Sequence, residues 1–511
     1  MHEVELKLQV PASARAAVDK AVAGRTPARR VRLQAAYADT PGALLAQHRL
    51  ALRVRREGRD WVQTLKGAGD DTLTRFEHNV RLLAPPAGQV PGVDPALHRG
   101  TAVGDQLLAL ISEGGTDAGP NAGPAALAVR YRTDVLRRTR LMRSNGAQVE
   151  LAFDSGTIEA GAASLPLCEL ELELVGGEPT VLTELARQWV RRHGLWIDTR
   201  SKSERGELLA RGTRIAPARG SQAVVLKRPM SAHAAWQAVL RECTAQITAN
   251  ASQIASGEHG DEHVHQLRVG LRRLRSAWQL FGFIPTDPAL VESAAALFRG
   301  LGTARDRHVV DTAFADELAR ALEHIGVEPE PARSKRADAS STELLRSEAT
   351  QVLLLDLVEA SIEPEPEPEP VPATDGDAAP TPVVERLART LKRWHKQAVA
   401  DAKRFAELDD TQRHRLRKRI KRLRYAVEFS AGLFDRKAVR RYLKPLRALQ
   451  ERLGAISDVI VAIDALRGTS ERDTRAWFAL GWLSARRAAL IEQAGAELKG
   501  FEKADGFWRE R

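Results

Sequence analysis

The sequence predicts an α+β multidomain chain, with a strand-rich N-terminal half that carries some helices and an all-α C-terminal half. Three observations predict it. Apolar residues recur with period two up to about residue 211, and with a period near 3.6 from about residue 231. Residues 212–230, with Gly212, Pro217, Gly220 and Pro229, read as a linker between the two regimes. The C-terminal half contains an internal duplication, which implies two related helical bundles. The expected organisation is therefore a first domain at 1–211, a linker at 212–230 and a helical domain at 231–511. The helical domain divides into a first bundle at about 231–327, an acidic insertion at about 328–382 and a second bundle at about 383–511.

A chain of 511 residues can bury more than one core. Its 28% charged and 43% hydrophobic residues give a globular balance, and its formal net charge of +11 favours a polyanionic partner. Two distant cysteines, Cys168 and Cys243, argue against a disulfide framework and fit a reducing cytoplasm. Met1-His2-Glu3 leads directly into a charged strand, with no basic segment and apolar run of the secretory kind. No stretch approaches the ~18 consecutive apolar residues of a membrane helix.

The first element is Glu3-Val4-Glu5-Leu6-Lys7. On a strand, Glu3, Glu5 and Lys7 share one face while Val4, Leu6 and Leu8 share the other. Taken alone, the plainer reading is a solvated strand face. Later strands repeat the pattern: Leu50, Leu52 and Val54 against Arg53 and Arg55; Trp61, Gln63 and Leu65 against Thr64 and Lys66; Val149, Leu151 and Phe153 against Glu150 and Asp154; Leu170, Leu172 and Leu174 against Glu169, Glu171 and Glu173. Helical periodicity appears at about 12–24, 104–113 and 181–194, and the Gly-rich run 114–123 reads as a loop. Such strands suit a closed antiparallel barrel whose outer apolar faces are covered by helices and whose lumen carries both signs of charge. Basic residues there would bind an anion, and carboxylates among them would hold Mg²⁺ or Mn²⁺ through oxygen ligands.

These residues carry a resemblance. Glu3-x-Glu-x-Lys7, Tyr37-Ala-Asp-Thr-Pro41, Leu52-Arg-Val-Arg55, Thr64-Leu-Lys66, Arg75-x-Glu77, Thr133-Asp-x-x-Arg137, Val149-Glu-Leu-Ala-x-Asp154, Leu167-Cys-Glu-Leu-Glu-Leu-Glu173 and Ser201-Lys202 follow the order expected of a CYTH domain. The resemblance implies an eight-stranded antiparallel barrel, the triphosphate tunnel. It implies that Lys7, Arg53, Arg55, Lys66, Arg75, Arg137 and Lys202 grip a triphosphate. It further implies that Glu3, Glu5, Glu150, Asp154, Glu169, Glu171 and Glu173 hold the metals, with Glu5, Lys7, Glu150 and Asp154 central to catalysis. One metal would neutralise the phosphates and a second would activate the attacking water. Fusion to a helical domain resembles the bacterial inorganic triphosphatases. Thiamine triphosphate hydrolysis, nucleoside triphosphate hydrolysis and cyclic AMP synthesis from ATP remain alternatives, because the spacing does not choose among triphosphates.

The duplication pairs the run His265–Arg275 with the run His414–Arg424. Basic residues fall at offsets 3, 7, 8 and 10 from each histidine: Arg268, Arg272, Arg273 and Arg275; Arg417, Lys421, Arg422 and Arg424. Apolar residues fall at offsets 2, 6, 9 and 13 in both. A Leu-Gly-x-x-x-Asp segment follows each, at Leu301–Asp306 and Leu453–Asp458. At about 100° per residue, offsets 0, 3, 7 and 10 share an arc of roughly 80° beside the apolar face. Arg389, Arg393 and Lys396, then Arg440, Lys444 and Arg447, extend the basic stripes. Stripes of one sign imply a polyanion. This half resembles a CHAD domain over about residues 225–511, which implies two four-helix bundles, inorganic polyphosphate in a basic channel, and association with polyphosphate granules. Nucleic acid is disfavoured because the basic helices lack interleaved aromatics for base stacking. A non-enzymatic polyphosphate-binding protein is the rival to the enzyme reading. The run Glu363–Pro370, which alternates Glu with Pro, forbids a helix, so the insertion reads as a largely disordered tether with a short helix at about 341–360.

Overall fold

The computed structural model describes residues 2–24, 28–69, 73–86, 89–114, 126–302, 314–326, 339–364, 381–467 and 474–508. The chain forms two compact units. The first comprises residues 1–219, 244–266 and 339–363, and the second comprises 220–243, 267–338 and 364–511.

The first unit is built on strands β1 (His2–Gln9), β2 (Arg29–Asp39), β3 (Leu50–Glu57), β4 (Asp60–Ala68), β5 (Thr74–Leu82), β6 (Ala128–Ser144), β7 (Ala147–Ala160) and β8 (Ala163–Gly176). They pair in the order β5-β4-β3-β2-β6-β7-β8-β1, and β1 pairs back onto β5, which closes an eight-stranded antiparallel barrel. Closure leaves no free edge, which suits strands this long. A two-residue strand, β9 (Trp196–Ile197), adds to β1.

Both faces of the barrel follow the period-two pattern. Outside β3 and β4, Leu50, Leu52 and Leu65 are covered by Leu45 of α2 (Leu44–Gln47) and by Leu107 and Ile111 of α3 (Ala102–Gly114). The predicted helix at 12–24 opens as a 3₁₀ turn at Ala12–Ala14 and continues as α1 (Arg15–Ala23). Helix α4 (Thr180–His193) buries Val181, Leu182, Leu185, Ala186 and Val190. Part of the lumen is apolar: Leu33, Ala35, Tyr37, Tyr131, Val135 and Ile158 pack against Leu209 of α5 (Lys202–Ala210). A Cβ at Gly206 would lie 2.2 Å from the Tyr131 ring, so glycine permits this close approach of α5. The Gly-rich loop expected at 114–123 lies outside the described residues from position 115 onward.

Among the described residues the remaining helices are α6 (Ala232–Ala255), α7 (Asp261–Leu280), α8 (Pro288–Gly300), α9 (Ala315–His324), α10 (Ala339–Arg346), α11 (Glu348–Ile362), α12 (Val383–Lys403), α13 (Asp410–Ser430), α14 (Arg436–Arg467), α15 (Thr474–Gln493) and α16 (Gly495–Glu502). The duplicated runs lie on α7 and α13, and their shared apolar offsets are buried: Leu267, Leu271, Leu274 and Trp278; Leu416, Ile420, Leu423 and Val427.

The short helix expected at about 341–360 is present as a pair of helices. Helices α10 and α11 cover 339–362 and belong to the first unit, as do the second half of α6 and the start of α7. The cause is local. Leu353, Leu354, Leu355, Leu357 and Val358 are apolar around most of the helix, and all are buried. α11 packs on α4, where Arg187 binds Asp356 at 2.7 Å and also pairs with Glu359. The Glu-Pro repeat from 365 onward lies outside the described residues.

Candidate active site

The register assembles a charged lumen. Three rows cross adjacent strands: Glu150, Glu173 and Glu5; Ala152, Glu171 and Lys7; Asp154, Glu169 and Gln9. Arg137 of β6 extends the last row beside Asp154. Strands β7, β8 and β1 thus form an acidic wall. Around the closed ring β3 stands four strands from β8, and β4 four strands from β7. Arg53 and Arg55 of β3 and Lys66 of β4 therefore face the acidic wall across the barrel.

Within the acidic wall, Asp154 and Glu169 are both 0% exposed. One oxygen from each of Asp154, Glu169 and Glu171 lies within 4.8 Å of the others. Three carboxylates this close, two of them fully buried, demand cations, and the chain supplies them. Lys202 Nζ lies 2.8 Å from Asp154, 2.5 Å from Glu169 and 2.7 Å from Glu171. Arg137 donates two parallel bonds to Asp154, at 2.7 and 2.6 Å, and a third to Glu171 at 2.5 Å. Arg205 pairs with Glu169. A capping box of Ser201 and Glu204 fixes the start of α5 and sets Lys202 at its first position. Burial would raise Asp154, yet Arg137 and Lys202 hold it below the usual carboxylate range. The same burial acts on Glu171, where Lys202 and then Arg137 prevail and hold it well below that range. Burial pulls the Lys7 ammonium down against the pull of Glu169, and Lys7 Nζ donates to the Arg200 carbonyl.

The other carboxylate row is unlike this one. Among the described residues Glu150 and Glu173 have no ion pair, and Glu5 has Arg75 at 3.7 Å. Burial and then the neighbouring Glu150 push the Glu173 carboxyl above its usual range. On the facing wall, burial and then Arg53 lower the Arg55 guanidinium to about 10, against the help of Glu57. Arg53 donates to the Tyr37 hydroxyl at 3.1 Å, and Lys66 pairs with Glu77 at 2.5 Å. The lumen therefore holds mutually repelling arginines on one side and mutually repelling carboxylates on the other.

The structure brings together Glu5, Lys7, Arg53, Arg55, Lys66, Arg75, Arg137, Glu150, Asp154, Glu169, Glu171, Glu173 and Lys202 on lumen-facing positions. Glu3 occupies its strand position opposite Arg75 in the register. Lys202, assigned from sequence to phosphate, neutralises the inner carboxylates here. Sequence reading missed Arg205, although it lies three residues after Lys202 on the same helical face, and it gave Tyr37 no role.

In the helical unit the stripes divide by offset. Arg389, Arg393 and Lys396 on α12, and Arg440, Lys444 and Arg447 on α14, are exposed. The offset-8 arginines pack on aromatic rings instead. Arg273, 3% exposed, stacks 4.6 Å from the Phe429 ring and pairs with Glu428 at 3.5 Å. Arg422 stacks 4.1 Å from the Trp394 ring and donates to Gln279 at 2.9 Å. Arg268 is buried against Phe298, and Arg272 and Arg275 border the same ring. Arg417 pairs with Asp458 at 3.6 Å, so the basic run and the Leu-Gly-x-x-x-Asp segment of the second repeat meet in space. Asp306, its counterpart, lies outside the described residues. Arg424 and Arg447 both reach Glu428. His414 is exposed on α13, its ring drawn below the usual range by partial burial and by Lys418, Arg417 and Lys421; His265 is half-buried on α7. No described helix is long and apolar enough to cross a membrane.

Residues 1–206 match the family described as CYTH domain, and residues 238–467 match that described as CHAD domain. An inorganic triphosphatase from Haemophilus influenzae is 27% identical over 179 residues, covering 34% of this chain and 44% of its own length. The chain thus spans less than half the length of that curated relative. Among solved structures, the CHAD domain from the plant Ricinus communis is 30% identical, with a TM-score of 0.45, covering 57% of this chain and 98% of that one. A candidate adenylyl cyclase from Hippeastrum, described as having a dominant triphosphatase activity, is 17% identical, with a TM-score of 0.28, covering 41% and 96%.

Proposed function

The chain belongs to the CYTH family through residues 1–206 and to the CHAD family through residues 238–467, and we propose that it is a metal-dependent inorganic triphosphatase whose helical unit binds polyphosphate. One observation carries the tunnel reading: a basic wall on β3 and β4 faces an acidic wall on β7, β8 and β1 inside one closed barrel. A triphosphate between them would neutralise Arg53, Arg55 and Lys66, which now repel one another or lean on neighbouring acids.

Carboxylate oxygens are the donors that a divalent cation takes, and the lumen offers them in two rows. Glu5, Glu150 and Glu173 are close in register, and the Glu173 carboxyl is raised by burial and by Glu150. The inner trio already has the Lys202 ammonium among its oxygens. The outer row, together with Glu3 on the same strand parity, would therefore hold Mg²⁺ or Mn²⁺. Such an ion supplies charge neutralisation on phosphate oxygens and acidifies a bound water. The protein's own residues orient the chain. Arg53, Arg55 and Lys66 hold non-bridging oxygens, while Asp154 and Glu171 keep Arg137 fixed toward the lumen. Phosphoryl transfer needs positioning and charge stabilisation more than covalent chemistry, and this lumen offers both. In the helical unit, the exposed stripes of α12 and α14 would contact the polyphosphate chain, while Arg273 and Arg422 hold the helices together.

Phosphate release should be measured with tripolyphosphate, long-chain polyphosphate, ATP and thiamine triphosphate, with and without Mg²⁺ or Mn²⁺. Tripolyphosphate should be hydrolysed fastest, chelation should abolish release, and folded Glu5→Gln should lose at least about 100-fold in kcat. Faster turnover of ATP or thiamine triphosphate, or an unchanged rate in Glu5→Gln, would refute this assignment.

A further inference from the structure

On the outside of the barrel a cleft of about 360 Å³ lies between the start of α1 and strands β2, β6 and β7. Its charged lining is Arg15, Asp19, Arg30 and Arg138, with the hydroxyls of Ser13 and Ser155 beside them. These side chains have the parity opposite to the tunnel. Arg138 follows lumen-facing Arg137, and Ser155 follows lumen-facing Asp154. The cleft is therefore separated from the candidate active site by the sheet itself.

The register sets Arg30 directly opposite Arg138 on the neighbouring strand. Like charges in that relation destabilise a sheet unless a counter-charge is present. Asp19 supplies one, taking Arg138 through two bonds of 2.7 and 3.0 Å. Among the described residues Arg15 and Arg30 have no ion pair, and both are exposed. Three guanidiniums thus converge on one concavity with a single carboxylate. Guanidinium forks match the oxygens of a phosphoryl group in geometry and charge, and serine hydroxyls complete such a shell. We infer that this cleft is a second anion site, which takes a phosphoryl group of an oligophosphate or a free phosphate ion outside the tunnel. It does not rest on the tunnel chemistry.

The test is residue-resolved, so that anions held elsewhere on the chain do not obscure it. The full chain is treated with phenylglyoxal, and the modification rates of Arg15 and Arg30 are read by peptide mass spectrometry. Separate arms contain tripolyphosphate, orthophosphate, or sodium chloride at matched ionic strength. Both arginines should react at least about threefold more slowly with tripolyphosphate than with chloride. The protection should persist in Glu5→Gln. Protection by orthophosphate as well would identify a single phosphoryl group as sufficient, and protection by tripolyphosphate alone would identify a chain. Equal rates in all three arms would overturn the site. So would protection that disappears in Glu5→Gln, which would trace it to the tunnel. Arg30→Gln gives an independent reading: it removes the cross-strand repulsion, so the ligand-free thermal midpoint should rise at low salt, and a fall would overturn the like-charge argument.

Discussion

Lys202 shows how much of a site the residue alone conveys. Its charge and its place beside Ser201 make it a candidate phosphate contact in sequence, whereas the fold gives it three carboxylates as partners. Strand alternation makes the lumen-facing acids and bases legible, because parity is fixed by the backbone. Which acid meets which base depends on register between distant strands, and that is not local information. The same limit hides His98. It has no exposed surface, and Gln63 Nε2 lies 3.0 Å from its Nε2 while also donating to the Asp94 carbonyl at 2.7 Å. His98 Nε2 therefore accepts, and Nδ1 carries the proton toward His78 Nδ1 at 2.8 Å. Burial, and then His78, lower His98 to about 4. Its unfolded value is near 6.5, so its contribution to stability is complete above that pH and is lost as pH falls toward about 4, by up to about 1.4 kcal/mol per pH unit. The denaturation midpoint of wild type minus that of His98→Gln should shrink between pH 7 and pH 5. A difference that stays constant over this range would show that His98 does not titrate in this way.

Among the elements, the duplicated helices were legible as a pair because both copies keep the same apolar and basic offsets. Their division of labour was not, since a helical wheel ranks Arg272 and Arg273 alike by charge. Packing separates them: Arg273 is buried on the Phe429 ring while Arg272 is half-buried, and in the second repeat the offset-8 Arg422 stacks on Trp394. Stability and binding should therefore respond to different residues. The double variant Arg393→Gln/Lys396→Gln removes two exposed charges from α12. It should weaken polyphosphate binding and flatten the slope of log affinity against log salt by about 2, with the melting temperature unchanged. Arg273→Gln should instead lower the melting temperature, because it removes a buried, ring-stacked guanidinium and its pairing with half-buried Glu428. Titrations at several salt concentrations, paired with thermal melts, check both. A salt slope unchanged by the α12 variant would remove that stripe from the binding surface.

For the whole molecule, the change of hydrophobic period at 212–230 brackets the first division of the fold, at 219/220, but does not show that 244–266 and 339–363 return to the barrel's unit. Within 328–382 the apolar run at about 341–360 is legible as a helix, but its partner is not, because the packing is between segments far apart in sequence. In the structure that run is α11, and it belongs to the barrel's unit. Its Gln351 accepts from the Ile197 amide at 2.8 Å, its Asp356 and Glu359 hold Arg187, and Ser252 of α6 accepts from the Thr199 amide at 3.0 Å. A fragment of residues 1–219 would lose all of these partners and expose the face of α4 that α11 covers. Exposing even four leucine-sized side chains costs about 6–12 kcal/mol. Whole domains are stable by only about 5–15 kcal/mol, so the loss is comparable with everything the unit has. The 1–219 fragment should therefore melt at a much lower temperature than the full chain, bind a hydrophobic dye and aggregate, even though it contains every lumen residue. A fragment that melts cooperatively at the temperature of the intact barrel unit would show that α6 and α11 are dispensable, and that the sequence boundary is also the physical one.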